Sequence, residues 1–195
     1  MKHKWDERYA SNEYVYGIHP NLFFKDKIEN LKPGKILFPA EGEGRNAVFA
    51  ATLGWEVSAF DYSHQAYKKA LQLSTINRVS IDYSVCNIEE SDYEKESFDA
   101  IALIYMHTTN RQVNHRHLLQ FLKPGGVVIL EAFSKEQIKY KTGGPKEVSK
   151  LFSIAELEND FVEMKELSIW QETVVLNEGD LHFGEAAILR LFGKK

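Results

Sequence analysis

The chain has 195 residues, 44% hydrophobic and 27% charged, with 24 Lys and Arg against 28 Asp and Glu for a formal charge of −4. That balance excludes disorder and fibre, carries no basic footprint for nucleic acid, and suffices to bury roughly 70% of the surface an unfolded chain would expose. The lone Cys86 can close no intrachain disulfide and supports no cysteine-based zinc site. The charged opening Met1-Lys-His-Lys-Trp-Asp-Glu-Arg8 has no signal-peptide pattern, and the longest apolar run, Ile101 to Met106, is far short of the roughly 20 residues of a membrane span. One cytoplasmic domain over residues 1–195 is expected, with no membrane or nucleic-acid partner.

In chain order, Leu31-Lys-Pro-Gly34 punctuates the end of an amino-terminal segment, residues 1–30, and a strand Lys35–Pro39 follows. Ala47, Val48 and Ala51 mark one face of a helix over Arg45–Leu53, and a strand Glu56–Phe60 comes next. A second helix over His64–Thr75 buries Ala66, Tyr67, Ala70 and Leu71. A weaker strand Ile81–Val85 and a longer apolar one, Phe98–Tyr105, come after it. Thr109-Asn-Arg-Gln112 reads as a capping box opening a helix that buries Leu118, Phe121 and Leu122. After Leu122-Lys-Pro-Gly125 comes the strand Gly126–Phe133. Ser153-Ile-Ala-Glu156 is a second box, flanked by Phe152 and Leu157 as a hydrophobic staple. Val162–Leu176 and Phe183–Phe192 read as strands around the turn Asn177–Asp180. Apolar strands alternating with amphipathic helices imply a parallel sheet covered on both faces. The last two strands lack a crossover helix and should form an antiparallel hairpin at one edge, so the fold class is doubly wound α/β.

In such sheets ligands sit beyond the carboxyl ends of the strands. The first strand runs into Pro39-Ala-Glu-Gly-Glu-Gly-Arg45 and straight into a helix, and small residues there let backbone N–H groups approach a ligand. The second strand ends at Asp61, a carboxylate at the spacing that suits ribose hydroxyls. Strand, small-residue loop, helix, strand and acid in this order favour a nucleoside-bearing ligand over a mere turn and a solvated acid.

The loop, Asp61, Asn87-Ile88 after the third strand, and Leu-Lys-Pro-Gly-Gly126 before the fifth together resemble a class I S-adenosylmethionine-dependent methyltransferase, over about Leu31 to Ser134. Trp5-Asp-Glu-Arg-Tyr9, Tyr14-Val-Tyr-Gly17 and the tail Glu178-Gly-Asp-Leu-His-Phe-Gly184 resemble the tellurite-resistance and thiopurine-type branch. The resemblance implies a Rossmann-like, mostly parallel seven-stranded sheet whose last strand is antiparallel, with S-adenosyl-L-methionine as cofactor. It places Ala40, Glu41, Gly42, Glu43, Gly44 and Arg45 around the methionine and ribose, Asp61 on the ribose hydroxyls, and Tyr62 beside the adenine. Asn87 would face the adenine amino group, Ile88 would pack on the ring, and Tyr105 would border methyl transfer. The family's loop acid is missing, with Phe38 and Ala40 in its place. Glu41 or Glu43 stands in for it near the methionine amino group, and Asn87 stands where many relatives carry Asp.

Trp5, Tyr9, Tyr14 and Tyr16 cluster before the first strand. They are either core packing or a lid whose rings contact the cofactor sulfonium; for Trp5 and Tyr16 both readings stand. His115 and His117 lie two apart on a helix and share no face, so a metal site is not expected there. His107, just past the fourth strand, and His182, in the tail motif, are candidate substrate contacts, and Cys86 is read as inert. The leading function is methyl transfer to a small soft-nucleophile acceptor, such as a thiolate or a selenium or tellurium oxyanion, for which no general base is required. The alternatives are a nicotinamide-dependent oxidoreductase and a non-catalytic S-adenosylmethionine-binding domain.

Overall fold

The computed structural model describes residues 2–179 and 181–195, with side chains from residue 5 onward. Two helices come first, α1 (Lys2–Tyr9) and α2 (Leu22–Ile28). Then follow β1 (Lys35–Pro39), α3 (Arg45–Thr52), β2 (Glu56–Asp61), α4 (His64–Ile76), β3 (Asp82–Val85) and β4 (Phe98–Ile104). The chain closes with α5 (Arg111–Leu119), β5 (Leu122–Phe133), α6 (Ile154–Asp160), β6 (Glu166–Asn177) and β7 (Phe183–Lys194). The seven strands form one sheet in the order β3-β2-β1-β4-β5-β7-β6. β1 to β5 pair in parallel, whereas β7 runs antiparallel to both β5 and β6. The expected hairpin is therefore present, but its second strand is inserted beside β5 and its first, β6, forms the edge. Among the described residues no helix is long and apolar enough to cross a membrane.

Alternation along the central strands explains why both faces are covered. Ile36 and Phe38 of β1, with Ala100, Ala102 and Ile104 of β4, enter a cluster with Phe23 and Phe24 of α2 and with Ala47, Val48 and Ala50 of α3. Leu37, Ile101 and Leu103 point the other way, into a cluster with Leu118, Phe152, Leu157 and Phe161. A strand buried on both sides reads as a continuous apolar run, and β1 and β4 do.

Local signals set most boundaries. Ser63 caps α4 by accepting a hydrogen bond from the Ala66 N–H (3.1 Å), and Ser153 and Glu156 form the expected box at α6. Phe152 and Leu157 on either side of that box are both buried in one cluster. The Thr109–Gln112 box does not form: α5 begins at Arg111 behind Asn110, which makes no side-chain cap. Thr108 instead accepts a hydrogen bond from the Asn114 side chain (3.2 Å). Leu122 belongs to β5, which begins four residues earlier than the sequence suggests because Leu122 pairs with Phe98 ahead of an irregularity in register.

Gly44 precedes α3 with φ +89, and a Cβ there would lie 2.7 Å from Cβ and 2.9 Å from Cα of Ala70. The glycine lets α3 and α4 close on each other. Gly44→Ala should cost about 2–4 kcal/mol, from a strained φ plus an overpacked contact. A denaturant melt of the variant checks this.

Candidate active site

The loop between β1 and α3 carries three left-handed residues, Ala40 (φ 52), Gly42 (φ 65) and Gly44 (φ 89). Glu41 turns inward and its Oε1 accepts hydrogen bonds from the N–H groups of Asn46 (2.9 Å) and Ala47 (2.8 Å), capping α3. Burial pushes the Glu41 carboxyl up to about 7 despite those donors. At the end of β2, Asp61 accepts from the Ser63 N–H through Oδ1 (2.9 Å) and from the Gly42 N–H through Oδ2 (3.2 Å). Burial lifts Asp61 to about 6, and these two N–H groups restrain the rise. From below, the Tyr83 hydroxyl donates to the Gly42 carbonyl (2.7 Å). Sequence reading missed Tyr83; the signal available was one aromatic residue in the short third strand, where alternation turns it toward the loop.

The amino-terminal segment lies across this loop as a strap. Trp5 stacks on Tyr9 (5.5 Å between ring centres), and Tyr9 meets Tyr16 edge-on (6.5 Å). A Cβ on Gly42 would come within 2.8 Å of the Tyr9 hydroxyl, so the ring passes directly over the backbone. Asp6 accepts hydrogen bonds from the Ser63 hydroxyl (2.6 Å) and the Gln65 N–H (3.3 Å). The aromatic group is thus divided: Tyr9 covers the loop with Trp5 and Tyr16 packed on its ring, whereas Tyr14 packs on the core cluster and donates to the Lys69 carbonyl (3.1 Å).

Two loop residues expected at the cofactor hold this strap instead. Glu43, buried, pairs with Lys69 (2.6 Å) and accepts from the Val15 N–H (2.9 Å); Lys69 also donates to the Glu13 carbonyl (2.6 Å). Arg45 pairs with Glu178 (3.0 Å) and donates to the Tyr16 carbonyl (3.2 Å). Their charges are neutralised within the protein, which leaves Glu41 as the inward-facing loop acid.

At the end of β4, Tyr105 adopts φ +55, and its ring stacks on Phe133 (4.9 Å) and meets His182 edge-on (4.7 Å). His182 also meets Tyr16 (4.6 Å), so the tail motif, the strap and β4 converge. Asp180 of that motif lies outside the described residues. Burial works against ionisation of Glu178, but hydrogen bonds from His182 and Arg45 hold its carboxyl down at about 2. Burial lowers His182, which keeps its ring neutral. The Tyr105 hydroxyl donates to Glu131 (2.7 Å), and Glu131 also accepts from Asn21 Nδ2 (2.6 Å) and Arg190 Nε (2.7 Å). Asn21, Glu131 and Arg190 were not foreseen. Their one visible mark in the sequence is polar side chains inside otherwise apolar segments.

His107 is a correction. Its Nδ1 bonds the Lys150 carbonyl (2.7 Å) and its Nε2 accepts from the Phe133 N–H (3.1 Å), so both nitrogens are spent on backbone. Burial pushes it to about 4. At the end of β3, Asn87 donates through its N–H and its Nδ2 to Glu90 (3.0 Å each), Ile88 is buried with Phe60, and Tyr62 is half-buried beside Asp61. An open cavity of about 320 Å³ lies here, bordered by Ser84, Cys86, Glu90 and Tyr93. His115 bonds Asp160 (2.8 Å) while His117 bonds the Ser91 carbonyl (3.0 Å), so the two rings serve separate contacts.

Residues 39–130 match the family model described as a methyltransferase domain. Over 188 residues the chain is 28% identical to the ubiquinone biosynthesis O-methyltransferase of Xanthomonas campestris, covering 93% of this chain and 79% of that protein. In fold it is similar to the structure solved for the conversion of a disulfide bond into a thioacetal group during echinomycin biosynthesis (TM-score 0.78, 16% identity, 100% of this chain and 93% of that one). It is also similar to TehB from Haemophilus influenzae (TM-score 0.70, 14% identity, 100% of this chain and 66% of that one). These findings set aside the nicotinamide-dependent alternative. The glycine loop, the acid ending β2 and the strand order with β7 inserted beside β5 are those of a class I fold, and the chain is an S-adenosylmethionine-dependent methyltransferase.

Proposed function

We propose that this methyltransferase acts on a small soft-nucleophile acceptor, in the manner of the tellurite-resistance-like branch, with its cofactor held between the β1–α3 loop and the strap. The residues fit that cofactor: left-handed Ala40 and Gly42 keep side chains off the loop, and Asp61 retains lone pairs beyond its two backbone donors. When bound, S-adenosylmethionine supplies a methyl group already activated on sulfur. Asp61 accepts hydrogen bonds from the ribose hydroxyls, and Tyr62, Asn87 and Ile88 border the adenine. Glu41 faces the methionine amino group. Gly42 and Gly44 bring the backbone close, Glu43 and Arg45 hold the strap, and Trp5 and Tyr16 exclude water. Tyr105 and His182 line the acceptor end.

The soft-nucleophile reading rests on the proton acceptors there. His107 has both nitrogens bonded, and the Tyr105 hydroxyl, raised well above its ordinary range by burial and by Glu131, donates rather than accepts. An acceptor that arrives ionised, as a thiolate does, needs alignment rather than a base. Similarity to an O-methyltransferase favours a second reading, an oxygen acceptor, for which neutral His182 beside Glu178 is the available base. A methyl-transfer screen with small thiols and phenols separates the two: turnover of phenols alone would sink the soft-nucleophile reading.

S-adenosylhomocysteine should raise the melting temperature, because it binds the folded state alone. The rise should be larger at pH 7.5 than at pH 5.5, since the Asp61 carboxylate is protonated below about 6 and then loses acceptor capacity. The apo protein moves the other way through this group. A carboxyl raised from its ordinary 3.8 to about 6 binds more protons folded than unfolded between those values, so its contribution to stability falls as pH rises across them. The ligand-induced shift, measured at both pH values, is therefore the readout, and a shift independent of pH would remove Asp61 from the site.

A further inference from the structure

The cations around the candidate site are almost all neutralised inside the protein. Lys69 pairs with Glu43, Arg45 with Glu178, and Arg190 with Glu131 and Glu172. Arg8 is the exception: it makes no ion pair among the described residues, although it is half-buried in the strap above the loop. Its guanidinium lies 4.5 Å from the centre of the Trp5 ring, and its Nη1 donates to the Tyr16 hydroxyl (2.8 Å). One nitrogen and one face are thus fixed, and the remaining N–H donors of the fork are left for another acceptor.

We propose that Arg8 binds the α-carboxylate of the methionine end of the cofactor. This rests on the cofactor placement given above. The electrostatic reason is local. The loop and its floor present the carboxyl groups of Glu41 and Asp61, which accept backbone N–H groups and pair with no cation among the described residues, so an incoming carboxylate is repelled unless a cation faces it, whereas an incoming amine is welcome. The amino-acid end carries one group of each sign. Glu41 suits the ammonium, and Arg8, planar and already oriented by Trp5 and Tyr16, suits the carboxylate through paired N–H donors. Tyr16 links this contact to the acceptor end, because its ring also meets His182 (4.6 Å). Arg8 therefore acts both as a ligand of the cofactor and as the group that draws the strap down once the cofactor is in place.

Calorimetric titration of the full chain tests this with two ligands: S-adenosylhomocysteine, and its decarboxylated analogue, which keeps the nucleoside, the sulfur and the amine. The wild-type protein should prefer the intact ligand. In Arg8→Ala the affinity for S-adenosylhomocysteine should fall on the order of ten- to a hundredfold, the analogue should change little, and the preference should vanish. Arg8→Lys should restore part of it, since it keeps the charge and loses the fork. Equal loss of both ligands in Arg8→Ala would mean that Arg8 only braces the strap, and no loss of either would remove it from the site; both overturn the proposal. Asp61→Ala serves as the separate control on the cofactor placement. It should weaken both ligands alike, because both carry the ribose, and if it weakens neither, the placement fails independently of Arg8.

Discussion

Glu131→Ala is expected to destabilise the protein by about 3–5 kcal/mol, the usual cost of removing one partner from a buried ionic contact. Glu131 is 1% exposed and accepts hydrogen bonds from three separate parts of the chain: Asn21 ahead of α2, Tyr105 at the end of β4, and Arg190 in β7. Without it, the Arg190 guanidinium keeps only Glu172, the Tyr105 hydroxyl loses its acceptor, and Asn21 keeps Glu178. Glu131→Gln should cost less, because an amide oxygen still accepts from Tyr105 or Asn21 but no longer balances Arg190. Urea melts of the two variants check the order. Equal, small losses below about 1 kcal/mol would show that water or a repacked Arg190 replaces the carboxylate.

This network also shows where sequence reading stops. Its members are individually unremarkable: a polar residue before a helix, a Glu and an Arg within apolar strands. Asn21 and Glu131 are 110 positions apart, and only the pairing of β5 with β7 sets Glu131 opposite Arg190. By contrast, Lys35–Pro39 was legible to the residue, because a continuous apolar run between Pro-Gly and a small-residue loop has few other solutions. The start of α3 at Arg45 was legible for the same reason. The box at Ser153 formed whereas that at Thr109 did not, although both fit the pattern. At α6, Phe152 and Leu157 pin the entry in the core, while at α5 the exposed Thr109 and Asn110 have no such anchor. His107 was misjudged through its position. The carboxyl end of a central strand puts a side chain near the ligand edge, but an unpaired Phe133 N–H and the Lys150 carbonyl captured the ring first. Glu43 and Arg45 were assigned to the cofactor because they sit in its loop. Their partners, Lys69 and Glu178, lie on elements whose approach is not visible locally.

Deleting Met1 to Gly17 is expected to lower affinity for S-adenosylmethionine by roughly a hundredfold or more, with a much smaller effect on the stability of the apo protein. The sheet and the three apolar clusters are built from residues beyond this segment apart from Tyr14, which only lies against one cluster. Glu43 and Lys69 keep each other at 2.6 Å once the Glu13 and Val15 backbone contacts are gone, so no buried charge is stranded. The apo protein should therefore lose about 1–2 kcal/mol, a fraction of what a stripped core aromatic costs. Ligand binding loses far more, since Tyr9 lies over Gly42 with Trp5 and Tyr16 packed on its ring, and Asp6 ties that roof to the start of α4. The charge on the cofactor supplies a further signature. Aromatic faces attract a sulfonium and not a thioether, by about 2 kcal/mol for a desolvated contact, so the truncated chain should lose more affinity for S-adenosylmethionine than for S-adenosylhomocysteine. Loss of Arg8 falls on both ligands alike, because both carry the carboxylate, and it cannot mimic that difference. Calorimetry with the two ligands and a thermal melt without either decide the matter. A melt lowered by the equivalent of 3–5 kcal/mol would return these rings to the core, and equal losses for the two ligands would leave the strap as a cover with no contact to the sulfonium.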